Sequence, residues 1–308
     1  MIEILSGQKS KKAIVTLAIG GDFESNWRNQ SLPLLLDYCK KHNLGLYLQN
    51  SSLDPQKTKK KLQWQKLLLP IELKNNFSYI EEFCYLDTDV LVNNYGPSVF
   101  TFASGEMALV SQFNNLPYNL DLVLRRIAFY RHNYLSSEYP LDSSLFMTIK
   151  QIYEYHKLEP QQDYACTGFF MGNIEAHSEK LEKIYFKYPS TILTLTDGGD
   201  EPIINYEFQK QFRINWLPYQ LQALWPYEMA AHYPFLYQDL NNQELILKCL
   251  ETTLNNNIFL HFAGRWHESK MIAAAERISL KSKVKEDFFR YMETPVTGQP
   301  VGRILPSN

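Results

Sequence analysis

Two carboxylates one residue apart, Asp87 and Asp89, are the sharpest chemical feature of the sequence. They follow the apolar run at residues 83–86, and the apolar residues 90–92 come directly after them. Alternate residues of an extended chain face the same side, so both carboxylates can reach one cation at a strand end. Their oxygens suit Mg²⁺ or Mn²⁺, which would in turn hold a diphosphate. The alternative is a solvated turn, but buried apolar runs seldom stop for two charges without a reason.

The elements that must position this pair follow an α/β pattern. A β-branched run stopped by Gly20 and Gly21 predicts a buried strand, and a helix and a second strand follow as a βαβ unit. The predicted strands cover residues 13–19, 44–48, 83–86, 90–92, 107–110, 164–171 and 258–262. The predicted helices cover residues 26–42, 62–73 with an interruption at Pro70, 118–132, 143–157, 175–187, 202–212 and 268–293. We therefore expect one α/β domain with a C-terminal helical appendage.

Composition excludes several classes of protein. The 308 residues carry a formal net charge of −2, which argues against nucleic acid as a partner. The four cysteines are far apart and indicate reduced core thiols. No apolar run reaches the roughly 18 residues that span a bilayer, and we expect no signal peptide and a cytoplasmic location. The basic stretch Lys57 to Lys66 suggests at most a weak peripheral membrane contact.

The segment from Tyr85 to Val92, preceded by the run from Gln65 to Pro70, resembles the DxD motif of GT-A glycosyltransferases. It is most similar to family 8, the glycogenin and lipopolysaccharide-galactosyltransferase group, and the matches follow the family's order over residues 13–264. The resemblance implies a Rossmann-like, nucleotide-diphospho-sugar transferase fold with a mixed central sheet. We expect that domain at residues 1–265, the C-terminal helix at 266–294 and a loose tail at 295–308.

The resemblance also implies a set of metal and phosphate contacts. His261, with Gly264 three residues later, matches the family's third metal ligand, although a lone histidine on an apolar strand is more often a core residue. Lys66 matches the basic residue that reaches the donor, or it is one more solvated lysine. The family's lysine after that glycine is replaced by His267, so Arg265 becomes the candidate phosphate contact.

Three further matches concern the nucleotide and the donor sugar. Thr88 lies between the paired carboxylates. Thr167 and Gly168 would let the backbone approach the donor sugar, and Asn173 would sit at the end of that strand. The strand end at Ala18, Ile19 and Gly20 would meet the base and ribose.

A turn at Asp200 and Glu201 matches the position beneath the anomeric carbon, where the family has glutamine in place of Glu201. A carboxylate there could stabilise oxocarbenium charge or act as a nucleophile. An acidic helix N-terminus would explain the same residues without catalysis.

Together the matches imply a metal-dependent glycosyltransferase. It would move a hexose from a nucleoside diphosphate sugar, with UDP favoured, to the hydroxyl of a glycan or other acceptor. Family 8 implies Mn²⁺ (or Mg²⁺) and retention of anomeric configuration. Two alternatives remain open, a non-catalytic nucleotide-sugar-binding protein of the same fold and a sugar nucleotidyltransferase. A group of aromatic residues could stack on the acceptor but is more often core: Trp216, Tyr219, Trp225, Tyr227 and Trp266.

Overall fold

A computed structural model describes residues 1–54, 60–135, 144–189, 199–264 and 267–280. The strands are β1 (Ile2–Leu5), β2 (Lys12–Leu17), β3 (Gly45–Gln49), β4 (Glu82–Leu86), β5 (Val90–Val92), β6 (Met107–Val110), β7 (Phe169–Asn173), β8 (Ile214–Leu217), β9 (Ala223–Leu224) and β10 (Phe259–His261). The α-helices are α1 (Gly21–Gln30), α2 (Leu32–His42), α3 (Leu69–Asn76), α4 (Leu120–Tyr130), α5 (Ile149–Tyr155), α6 (Ile174–Lys187), α7 (Glu201–Gln211), α8 (Trp225–His232) and α9 (Gln243–Asn256).

Within the described residues the large sheet has seven strands in the order β1-β3-β2-β4-β7-β6-β8. The pairs β3–β2, β2–β4 and β6–β8 are parallel, and β1–β3, β4–β7 and β7–β6 are antiparallel. The predicted α/β class with a mixed central sheet is therefore confirmed.

The large sheet is buried on both faces. Successive residues of β4 alternate between two core clusters, because strand side chains point to opposite faces. One cluster holds Cys84 and Leu86 together with α2 and β5, and the other holds Phe83 and Tyr85 together with α3, α6 and α7. The sheet is thus the middle layer, as its near-continuous apolar strands require.

A second sheet of three strands, β5-β10-β9, lies beside the first. β10 runs antiparallel to β5 with His261 paired to Val90, and it runs parallel to β9. The residues from Asp87 to Asp89 therefore connect the large sheet at β4 to the small sheet at β5. This junction places the paired carboxylates between the two sheets.

The predicted helix at residues 26–42 is in fact two helices, α1 and α2, separated at Ser31. Pro33 lies in the first turn of α2, where the missing N–H would have no intrahelical partner anyway. Ser31, between the two helices, is buried, and its hydroxyl donates a hydrogen bond to the Thr88 carbonyl at 2.8 Å. This bond connects the helix break to the segment that carries the two carboxylates.

The predicted helix at 62–73 also divides near its proline. Residues Leu62–Leu68 form a 3₁₀ helix, and α3 begins at Leu69 with Pro70 in its first turn. Proline here begins a helix instead of interrupting one, for the same reason as in α2.

The expected C-terminal α-helix at 268–293 differs in its described part. Glu268–Arg277 form a 3₁₀ helix, and residues 281–308, including the predicted tail, lie outside the described residues. Glu268 is fully buried, and its Oε1 accepts hydrogen bonds from Arg131 Nε at 2.9 Å and from the Tyr237 hydroxyl at 2.8 Å. The start of this segment therefore packs into the fold.

Among the described residues, the helices are too short or too polar to cross a membrane. The four cysteines are buried free thiols, as the sequence predicts.

Candidate active site and metal centre

Asp87, Asp89 and His261 lie together at the junction of the two sheets. His261 Nε2 is 3.2 Å from Asp89 Oδ1 and 3.8 Å from Asp87 Oδ2. One ligand atom from each residue falls within 4.8 Å of the others. The imidazole is buried, while both carboxylates are partly open to solvent. The tertiary structure thus assembles the three predicted metal ligands in one place.

Backbone hydrogen bonds hold the two aspartates in position. The Asp87 N–H donates to the Gly168 carbonyl at 2.9 Å, which extends the β4–β7 ladder by one bond. The Phe262 N–H donates to the Asp89 carbonyl at 3.0 Å, which extends the β5–β10 ladder in the same way. Each carboxylate is therefore anchored by a different sheet.

Gly168 is glycine because the cluster leaves no room for a side chain. A Cβ placed on it would lie 2.2 Å from His261 Cε1 and 2.8 Å from Asp87 Oδ2. These separations are shorter than side-chain atoms tolerate, so any larger residue would displace the imidazole or the carboxylate. The backbone of Gly168 thus forms one wall of the cluster, which explains the glycine that the sequence singles out.

The donor set fits a divalent cation such as Mn²⁺ or Mg²⁺. Two carboxylates supply hard oxygen ligands, and one imidazole nitrogen suits Mn²⁺ in particular. The Tyr85 hydroxyl donates to Asp87 Oδ1, which orients that carboxylate.

The cluster opens into a cavity of about 360 Å³. Eleven of the predicted site residues line it: Ile19, Lys66, Asp87, Thr88, Asp89, Thr167, Gly168, Asp200, Glu201, His261 and Gly264. Leu17, from the strand end predicted to meet the nucleotide, also lines the cavity. Six other residues complete the wall, and sequence reasoning did not assign them to the site: Phe23, Leu62, Gln63, Tyr85, Cys166 and Ala263. Residues as far apart in sequence as Leu17 and Gly264 thus line one cavity.

Four predicted site residues do not line this cavity in the described structure. Ala18 is buried, and its N–H donates to the Gln49 carbonyl, while Gly20 precedes α1 at a φ of 109°. Asn173 lies at the far end of β7, opposite Glu82, and its side chain accepts from the Ala176 N–H as the cap of α6. We therefore withdraw the prediction that Asn173 contacts the donor sugar. Arg265 lies outside the described residues.

Lys66 is a buried cation at the centre of the cavity wall. Its Nζ lies 2.8 Å from Asp200 Oδ2, and it donates to the Thr167 carbonyl at 3.0 Å and to the Thr167 hydroxyl at 3.1 Å. The interpretation of Lys66 as a solvated lysine is thus wrong. Lys60 is buried too, with its Nζ 2.7 Å from the Tyr185 carbonyl, so neither lysine can serve a membrane surface.

Glu201 occupies the first position of α7 and points into the cavity wall. Its Oε1 accepts a hydrogen bond from Gln112 Nε2 at 2.9 Å. Burial, reinforced by the neighbouring Asp200 carboxylate, raises its pKa from 4.5 to about 7. Asp200 is the N-cap residue of α7, but no side-chain hydrogen bond caps the helix there. The described contacts therefore give neither carboxylate the role of a helix cap.

The aromatic residues proposed for acceptor stacking divide between two environments. Tyr219 and Trp225 belong to the buried core beneath the small sheet, as the core interpretation predicts. Trp216 and Tyr227 are partly buried, and Trp266 lies outside the described residues.

No family model and no curated protein matches the sequence. Solved structures do resemble the chain in three dimensions. One is a glycosyltransferase involved in glycosylation of the major capsid of PBCV-1, at a TM-score of 0.45 and 12% identity over 87% of this chain and 99% of that one. Another is the galactosyltransferase LgtC in complex with donor and acceptor sugar analogs, at a TM-score of 0.47 and 12% identity over 90% of this chain and 99% of that one. A third is the bifunctional glycosyltransferase WbbM, at a TM-score of 0.40 and 11% identity over 90% of this chain and 51% of that one. All three are named as glycosyltransferases.

Proposed function

We propose that this protein is a metal-dependent glycosyltransferase that moves a hexose from a nucleoside diphosphate sugar to a hydroxyl acceptor. The observation that carries the proposal is the convergence of Asp87, Asp89 and His261 on one cavity wall. A solvated turn at Asp87 would not bring a buried histidine to the same point from another sheet. Two carboxylates and one imidazole in this geometry support a site for a diphosphate-bound cation.

The three ligand residues would hold Mn²⁺ or Mg²⁺. When bound, the cation would neutralise charge on the diphosphate as it leaves the sugar. The chain supplies one more positive charge at the cavity through the buried Lys66. Because Lys66 is engaged by Asp200 and Thr167, we assign it first to holding those two groups in place and second to attracting the donor.

Glu201 is our candidate for the group beneath the anomeric carbon. It lines the same cavity as the metal ligands, and the Gln112 side chain fixes its carboxylate. As a carboxylate it would stabilise the oxocarbenium-like charge that grows on the sugar, or attack that carbon in a reaction that retains anomeric configuration. Asp200 is buried against Lys66 and is assigned the role of positioning that lysine.

The nucleotide is assigned to the end of β2, where Leu17 and Ile19 line the cavity together with Phe23. These side chains are apolar and suit the flat face of a base. UDP is favoured because of the sequence resemblance, and the acceptor is a hydroxyl of a glycan or a similar molecule.

The proposal is tested with a panel of nucleotide sugars in the presence of Mn²⁺. We expect one donor to be hydrolysed slowly, and the corresponding nucleoside diphosphate to raise the melting temperature of the protein. Ligand at 100 times its dissociation constant adds about 2.7 kcal/mol to the unfolding free energy. The matched control is Asp89→Ala, which should abolish both effects.

Three outcomes separate the alternatives. Hydrolysis together with stabilisation supports the transferase, and the configuration of the transferred sugar then tests retention. Stabilisation with no turnover of any donor would support a non-catalytic nucleotide-sugar-binding protein. An unchanged melting temperature with every nucleotide and metal would refute both.

A further inference from the structure

Gln222 contacts the metal-ligand histidine on the side away from the carboxylates. Its Nε2 lies 3.1 Å from His261 Nδ1, and the side chain is 2% exposed. The Gln222 Oε1 is also buried and has no hydrogen-bond partner among the described residues. A buried amide with one unpartnered atom beside a metal ligand calls for an explanation, since such atoms are usually paired.

The orientation of the Gln222 amide in the structure implies one tautomer for a neutral His261 ring. With the amide nitrogen toward the ring, Gln222 can only donate, so Nδ1 of a neutral imidazole accepts and the ring proton lies on Nε2. That Nε2 faces Asp89 Oδ1 at 3.2 Å and can donate to it. This arrangement is self-consistent for a site without a cation, because every polar atom between the Gln222 amide nitrogen and Asp89 then has a complementary partner.

A divalent cation needs the opposite arrangement. It binds the Nε2 lone pair, so the proton must lie on Nδ1 and must be accepted by a neighbour. Rotating the Gln222 amide group by 180° places Oε1 against Nδ1 with no change of shape. The Oε1 atom makes no hydrogen bond to the described residues in its present position, so no such bond opposes the rotation.

We propose that Gln222 is a positioning residue for the metal centre, and that its amide rotates to accept the His261 Nδ1–H when the cation binds. The inference rests on the proposed metal-dependent function. Cys166 Sγ lies 3.4 Å from the same Nδ1, but sulfur is a weak acceptor. An amide also adds no charge beside the two aspartates.

The test measures Mn²⁺ binding in the absence of any sugar nucleotide. Gln222→Met keeps the length of the side chain and removes its hydrogen-bonding amide. Loss of such an outer-shell partner typically weakens metal binding by about 10- to 100-fold, and we expect a weakening of that size. Gln222→Glu keeps an acceptor toward Nδ1 and should bind Mn²⁺ more tightly than Gln222→Met, which a purely steric role for Gln222 would not require.

The matched control is Gln49→Met. Gln49 is 1% exposed, and its Oε1 also lacks a hydrogen-bond partner among the described residues, but its amide nitrogen donates to Ser51 and not to a metal ligand. The control should bind Mn²⁺ as the unaltered protein does, even if its melting temperature falls.

A second readout follows the tautomer itself. In ¹⁵N-histidine NMR spectra, saturating Mg²⁺ should move the His261 proton from Nε2 to Nδ1. If the unaltered protein binds Mn²⁺ and Gln222→Met binds it equally well, the role of Gln222 is refuted and the metal site stands. If the unaltered protein binds no Mn²⁺ or Mg²⁺, the proposed function fails with it.

Discussion

Replacing Glu201 by glutamine should stabilise the protein at high pH. The pKa of Glu201 is raised from 4.5 to about 7, first by burial and then by the adjacent Asp200 carboxylate. A group whose pKa is raised in the folded state favours folding only while it is protonated. Its contribution to stability is therefore complete below pH 4.5 and is lost as the pH rises through 7. The amide in the Glu201→Gln variant carries no charge at any pH, so the variant escapes that loss.

The magnitude follows from the two pKa values. Each pKa unit is equivalent to about 1.36 kcal/mol, so a rise from 4.5 to about 7 corresponds to about 3 kcal/mol. Because the side chain keeps some contact with solvent, we reduce the expected gain to about 2 kcal/mol. The unfolding free energies of Glu201→Gln and the unaltered protein should agree near pH 4 and differ by this amount at pH 8.

The assay is urea unfolding of both proteins between pH 4 and pH 8. The control is Glu175→Gln, since the Glu175 side chain is 83% exposed. That variant should track the unaltered protein within about 0.5 kcal/mol at every pH. Parallel curves for Glu201→Gln and the unaltered protein would refute the argument that burial perturbs Glu201.

The same variants test whether Glu201 is catalytic. Glu201→Ala should lower turnover more than it raises the Michaelis constant, because the interaction grows in the transition state. Glu201→Gln has the residue of the resembling family and should keep part of the activity. A helix cap would instead contribute about 1 kcal/mol to stability and nothing to turnover. Wild-type turnover in a destabilised Glu201→Ala variant would show that the carboxylate only supports the helix.

Three further predictions concern the site and its support. Gly168→Ala should abolish Mn²⁺ binding measured by calorimetry, because its Cβ would lie 2.2 Å from His261 Cε1; unchanged binding would mean that the cluster does not hold the cation. If Glu201 acts as a carboxylate, turnover should fall as the pH drops below its pKa of about 7, whereas Glu201→Gln should lack this inflection in its pH–rate profile. Glu268→Ala should cost about 3 to 5 kcal/mol in chemical denaturation, because it removes one member of the buried Arg131–Glu268 ion pair; a loss below about 1 kcal/mol would show that the segment from Glu268 is not part of the core.

The sequence by itself determined the strands that carry the site and the groups at their ends. An apolar run such as residues 83–86 between turn signals favours a buried strand, and two charges directly after it favour a site at the strand end. Local pattern also singled out Gly168 within a predicted strand and Lys66 within a predicted helix, and both residues line the cavity. It did not place the helix break at Ser31, because the break is stabilised by a hydrogen bond to the distant Thr88 carbonyl.

Only the tertiary structure decided which end of each strand faces the cavity. β7 runs antiparallel to β4, so Gly168, directly before β7, meets Asp87, while the end of β7 at Asn173 lies opposite Glu82. Nothing local in the sequence reports that direction, which is why sequence reasoning places Asn173 at the wrong end. Sequence reasoning also does not identify Gln222 and Gln112 as site residues, for the same physical reason. Each is an ordinary glutamine in its own segment and acquires a role only through a partner far along the chain.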